Sequence, residues 1–287
     1  MKIDFHCHIF YKECLNTLEF LKFQFKNFEN YGFYDRIIRS VKDTKSVQTN
    51  DIIIKTEFHA ENAGLDKVVL LPLSNNENYL VKNWFEHNPN LFIPFYNPIE
   101  KGEPSKIVED IEGAFNNNFY KGLKIMLPFR QRYLNDKTMW GVWEFAENNR
   151  VPVVFHTGYP PPGTKKTILK YGNPIYLEDI SHSFPKLKFV IAHMGYPFID
   201  VAISLAVQFP NIYLDISNLI YMQPNRLKDM LLTAKEIIGI DKILYGSDAF
   251  CPEMLEIIPK FFDELEILTE GEIKKILGLN AKKLLKL

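Results

Sequence analysis

Eight short apolar runs recur along this chain, each followed by a stretch patterned as helix. No other feature restricts the fold as much. The runs fall at residues 1–8, 66–72, 91–96, 120–126, 151–156, 187–193, 212–216 and 243–245. Between them lie helical patterns at 51–62, 75–88, 105–116, 138–149, 176–183, 198–208 and 226–238, and the tail from 254 onward reads as further helix. Asn50 or Asp51 can cap the first of these helices, Gly64 stops it, and Ser105 can cap the third. Strand-helix-strand units pair in parallel through right-handed crossovers. Eight of them in 287 residues predict a closed (β/α)8 TIM barrel, one domain spanning 1–287. An open doubly wound sheet would carry a glycine-rich turn after its first strand, and here that turn carries histidines. Residues 9–48 break the rhythm as an aromatic-rich excursion, either a helical insertion with its own core or a lid over a site.

Composition narrows the partners. The net charge of −1 gives no electrostatic case for nucleic acid or an anionic membrane. No apolar run approaches the ~20 residues of a membrane helix. The start shows no basic stretch with an apolar core behind it, so no signal peptide is expected. Cys7, Cys14 and Cys251 are too few for a disulfide framework, and a reducing cytoplasm is the expected location. Cys7 points away from its flanking histidines and reads as core. A small-molecule substrate is the expected partner, with a homo-oligomer possible on general grounds.

In a barrel of this kind, chemistry sits at the carboxyl ends of the strands. His6 and His8 end the first run and share one face, because strand side chains alternate. His156 ends the fifth, His193 the sixth and Asp248 the eighth. Barrel closure brings the eighth run beside the first, so Asp248 approaches the His-x-His pair. Imidazoles and a carboxylate meeting at one rim suit a divalent cation. His59, His87 and His182 lie in or beside helices and are expected to be structural or surface residues.

An ordered set of motifs supports this reading: Asp4-Phe5-His6-Cys7-His8, Gly122-Leu123-Lys124-Ile125, Phe155-His156-Thr157-Gly158, Ala192-His193-Met194-Gly195, Tyr213-Leu214-Asp215-Ile216-Ser217 and Tyr245-Gly246-Ser247-Asp248. The set resembles the amidohydrolase-related (type 2) branch of the amidohydrolase superfamily, over nearly the whole chain. The resemblance implies a metal held by His6, His8, His156 and Asp248. One zinc per chain is expected, with manganese, iron or cobalt able to fit. It also implies hydrolases, non-oxidative decarboxylases similar to aminocarboxymuconate semialdehyde decarboxylase, or a few hydratases.

Hydrolysis of a small amide, ester or lactone is the first expectation. A cation with such ligands lowers the pKa of bound water to ~7 and makes hydroxide available at neutral pH. Asp248 would act as general base as well as ligand, and His193 would hydrogen-bond the developing oxyanion. Decarboxylation of a small unsaturated or aromatic acid is the alternative. A barrel that only binds a metal or ligand is the third reading. Lys124 could bind a substrate carboxylate or, carboxylated, bridge a second metal. Arg130 and Arg132 could clamp a carboxylate, and Tyr159 could wall the pocket. Asp215 and Ser217 are expected beside the ligands. Arg36 and Arg39 would reach in if the excursion is a lid.

Overall fold

The computed structural model describes residues 1–164, 167–257, 261–262 and 265–287. Eight strands appear in the predicted order: β1 (Ile3–Cys7), β2 (Lys67–Leu70), β3 (Phe92–Pro94), β4 (Leu123–Ile125), β5 (Val153–Phe155), β6 (Phe189–Ile191), β7 (Ile212–Asp215) and β8 (Ile243–Leu244). All pairings are parallel, in two sheets ordered β1-β2-β3 and β4-β5-β6-β7-β8. Backbone hydrogen bonds cross both seams. Tyr96 donates to Gly122 (2.9 Å) and receives from Lys124 (2.8 Å), and Phe5 donates to Tyr245 (2.9 Å). The architecture is a TIM barrel.

The helices that pack around it are α1 (Thr17–Gln24), α2 (Gly32–Lys42), α3 (Ile52–Asn62), α4 (Asn78–His87), α5 (Pro104–Phe115), α6 (Trp140–Asn148), α7 (Leu177–Ser183), α8 (Ile199–Gln208), α9 (Leu219–Met222) and α10 (Pro224–Ile238). Asp51 caps α3 as expected, accepting from Ile53 and Ile54. Helix α5 departs from expectation. Glu103 takes the cap position and Pro104 opens the first turn, where its missing N–H costs nothing, so Ser105 lies inside the helix.

Two apolar layers result from strand alternation. Ile3, Phe5, Val69, Leu71, Ile93, Phe95, Val154, Val190 and Leu244 fill the barrel's inside. Cys7, Val68, Leu70, Leu123, Ile125, Val153 and Phe155 belong to the larger core shared with the helices. In β1 the pairing with β2 slips between Asp4 and Cys7. A bulge of this kind re-aims side chains. Here His6, next in line after the inner-core Phe5, also turns toward the side chains that line the barrel mouth.

Residues 9–48 include helices α1 and α2. Their core is not separate. Leu21, Phe25, Phe33, Ile37 and Val41 are buried in the same cluster as the barrel helices. Phe25 packs edge-on against Phe250, beyond β8, with ring centroids 5.1 Å apart.

Candidate metal centre

The end of β8 must approach β1 closely for the carboxylate to meet the histidines. Gly246 makes this possible: a Cβ there would lie 2.4 Å from that of His6. Two residues later, the Asp248 amide donates to His6 O (2.7 Å).

Each histidine of the pair is fixed by its Nδ1. That of His8 lies 2.6 Å from Leu71 O, which can only accept, so Nδ1 carries the proton. His6 Nδ1 lies 2.9 Å from Asp215 Oδ2 and 3.0 Å from Ser217 Oγ. Asp215 also accepts from the His193 amide (3.1 Å) and from the Ser217 hydroxyl, so its carboxylate is saturated. Both Nε2 lone pairs face inward, that of His6 with Lys124 Nζ 3.1 Å away. His8 Nε2 lies 2.9 Å from Asp248 Oδ1 and His6 Nε2 lies 3.8 Å from it. The three ligand atoms lie within 4.8 Å of one another. Acceptors aimed at one another at such range are what a divalent cation reconciles.

The electrostatics agree. Burial, with the Lys124 ammonium, pushes the His6 imidazole down to about 3. His156 is pushed well below its ordinary value by burial first, then by His193 and Lys124. Burial lowers His193 as well. Burial works against the charge of Asp248, but the imidazoles of His8, His193 and His6 outweigh it and hold the carboxyl well below its usual range. Depressed imidazoles at His6, His156 and His193 beside an anionic carboxylate favour the protonation state that metal ligation requires.

His156 stands slightly apart. It is outside the set of atoms that converge within 4.8 Å. Its Nε2 is buried and has no hydrogen-bond partner, which also fits a cation. A second grouping, His6, His193 and Asp215, is close enough to hold an ion, but the hydrogen bonds above already occupy its carboxylate. His193 Nδ1 lies 2.8 Å from Ser217 Oγ and 3.1 Å from Ser217 O.

The substrate-binding expectations divide. Lys124 is fully buried, with Nζ 3.1 Å from His6 Nε2, and burial lowers it to about 8. Tyr159 donates its hydroxyl to Asn218 Oδ1 (3.2 Å), and Asn218 Nδ2 donates to Asp248 Oδ2 (2.9 Å). Arg132 is fully engaged elsewhere, bonding Asp136 Oδ2 (2.6 Å), Glu100 O and Thr138 Oγ1. Arg130 faces Glu100 Oε2 at 3.5 Å and is about one-third exposed. Arg39 donates to Asp35 O within its own helix, and Arg36 bonds the carbonyls of Tyr221 and Met222, so neither is turned toward a substrate.

Sequence reasoning passed over Asn218, Tyr221 and Glu100. Asn218 sits in the left-handed region (φ 55), which asparagine tolerates, and that is the only local signal it offers. Beside the centre, a cavity of about 260 Å³ is bordered by His8 and Asp248. Its apolar walls include Phe10 and Phe20 of the excursion with Leu73, Met126, Phe129 and Phe250.

A family comparison joins these features. The amidohydrolase family model matches residues 3–287, and the chain belongs to that family of enzymes. Protein fluG of Emericella nidulans is 30% identical over 118 residues, 40% of this chain but 13% of that protein. An uncharacterized TIM-barrel protein from Bordetella bronchiseptica superposes with a TM-score of 0.74 at 20% identity, covering 99% of this chain and 98% of that one. A dihydroxybenzoic acid decarboxylase from Polaromonas sp. JS666, solved with bound manganese and the inhibitor 2-nitroresorcinol, superposes with a TM-score of 0.66 at 15% identity, covering 99% and 96%. Among the described residues, no helix is long and apolar enough to cross a membrane.

Proposed function

We propose that this chain is a metal-dependent hydrolase of a small amide, ester or lactone. The observation that carries the reading is the convergence of His6 Nε2, His8 Nε2 and Asp248 Oδ1 beside an apolar cavity. These three residues, with His156, would hold one divalent cation, zinc or manganese by the chemistry of the donor set. When bound, the cation supplies Lewis acidity toward a carbonyl and toward water.

The chain's own groups do the rest. Asp248 stays anionic and its Oδ2 is steadied by Asn218, so the carboxylate can take a proton from attacking water and return it to the leaving group. His193, its Nδ1 tied to Ser217, presents Nε2 as the remaining polar atom of its ring. Tyr159 braces Asn218, and the cavity's aromatic walls put apolar surface beside the reacting groups.

Decarboxylation of an aromatic acid is the second reading. It is favoured by the decarboxylase of similar fold and by walls that suit a flat ring. Hydrolysis is preferred because the arginines expected to clamp a carboxylate are engaged elsewhere, Arg132 fully and Arg130 against Glu100. The test is turnover of a lactone, ester and amide panel by manganese- or zinc-loaded protein, against carbon dioxide release from a panel of aromatic acids. Hydrolysis abolished in Asp248→Asn, with metal content measured alongside, is the expected result. Carbon dioxide release without hydrolysis would overturn it.

A further inference from the structure

Arg36 lies on α2, in the excursion, and it faces the end of another helix. Its Nε donates to Tyr221 O (2.8 Å) and its Nη2 to Met222 O (2.7 Å). Both are carbonyls of the last turn of α9, which no intrahelical donor reaches. A planar guanidinium satisfies two such acceptors at once.

The rest of α9 is tied to Asp248. Asn218, its N-cap, donates to Asp248 Oδ2 (2.9 Å). Tyr221, from within the helix, donates its hydroxyl to Asp248 O (2.5 Å). Asp248 itself is in the left-handed region (φ 48), where a residue with a Cβ stays only if its surroundings hold it there. Two of the contacts that do so come from α9.

We infer that Arg36 is a positioning residue for Asp248. By pinning α9, the excursion fixes the carboxylate whose Oδ1 faces His8. Residues following β1, β7 and β8 thereby act as one unit. The inference rests on the reading of Asp248 as a metal ligand.

Manganese(II) titrated into the full chain against a fluorescent chelator tests it without knowledge of the substrate. Arg36→Met is expected to weaken manganese binding about tenfold, the lower end of what residues behind the ligands contribute. Arg36→Lys, which reaches one carbonyl, is expected to fall between. Tyr221→Phe is expected to give a similar loss. Because the two act in series, the double variant is expected to lose no more than the worse single one. Free guanidinium added to Arg36→Ala is expected to restore part of the affinity. Wild-type affinity in both Arg36→Met and Arg36→Lys, or additive losses in the double variant, would overturn the inference. Asp248→Ala separates the two claims. If it binds as wild type does, the ligand reading fails. If it loses manganese while the Arg36 variants keep it, only the positioning role fails.

Discussion

Two buried clusters of histidine and carboxylate lie at this barrel, and they are built on opposite logic. In one, Lys55 and His59 of α3 meet Glu253 and Glu256 of the segment beyond β8. Lys55 Nζ lies 2.7 Å from Glu253 Oε1 and donates to Thr17 Oγ1 (2.8 Å), and the Thr17 hydroxyl reaches the same carboxylate. His59 Nδ1 lies 2.6 Å from Glu256 Oε1. Donors meet acceptors, with His59 Nε2 the one ring atom left without a hydrogen bond. In the other, the Nε2 atoms of His6 and His8 converge on Asp248 Oδ1, with Lys124 Nζ 3.1 Å from His6 Nε2 as the nearby donor. The first arrangement holds the excursion to the barrel. The second, on the function proposed above, would be completed by a cation. Burial and residue type are alike in both, and what sets the second apart is the convergence of two imidazole nitrogens and a carboxylate oxygen within 4.8 Å of one another.

The largest effect that can break this contrast is on stability. Lys55→Met leaves the Glu253 carboxylate buried without its cation, held only by the Thr17 hydroxyl, and the expected loss is about 3–5 kcal/mol in urea unfolding. A loss below about 1 kcal/mol would mean that this cluster does not hold the fold together.

Glu100 sharpens the contrast through pH. Burial raises its carboxyl from 4.5 to about 7, against the hydrogen bond from Met126 and the charge of Arg130. Below pH 4.5 the group is protonated in both folded and unfolded chains. Between 4.5 and 7 the unfolded chain releases the proton while the folded one retains it, so stability falls as pH rises through that window. The expected fall is up to about 3 kcal/mol. Glu100→Gln should remove that part of the slope, as read by urea unfolding at pH 5 and pH 8. An unchanged slope would contradict the assignment.

A smaller effect is expected at Arg132, whose bonds to Asp136, Glu100 O and Thr138 tie the loop after β4 to the one after β3. Arg132→Met is expected to cost about 2 kcal/mol of stability and leave the Michaelis constant unchanged. A raised Michaelis constant at unchanged stability would return Arg132 to the substrate.

Last comes Asp248→Asn, which is expected to lower manganese affinity steeply. Manganese affinity equal to wild type would make Asp248 a structural residue like Glu253.

What the chain discloses before folding follows from these particulars. The alternation of apolar runs with helical periodicity is local, so strand order and most helix bounds could be read directly. That His6, His8 and Asp248 would meet was legible because barrel topology alone places strand ends on one rim. The bulge that turns His6 inward was not, since it depends on pairing with β2, some sixty residues on. The contacts of Arg36 and Arg132 were not legible, for one reason. Their partners include backbone carbonyls and acceptors in distant loops, and a carbonyl carries no residue-type signal. Gly246 shows the reverse case: its role is a close approach, visible only once His6 lies against it.

The most direct measurement is a crystal structure of the manganese-loaded protein with the ion located by anomalous scattering. The account predicts one peak per chain, lying between His6 Nε2, His8 Nε2 and Asp248 Oδ1. Density without an anomalous peak at that point, in protein shown to be saturated with manganese in solution, would contradict it.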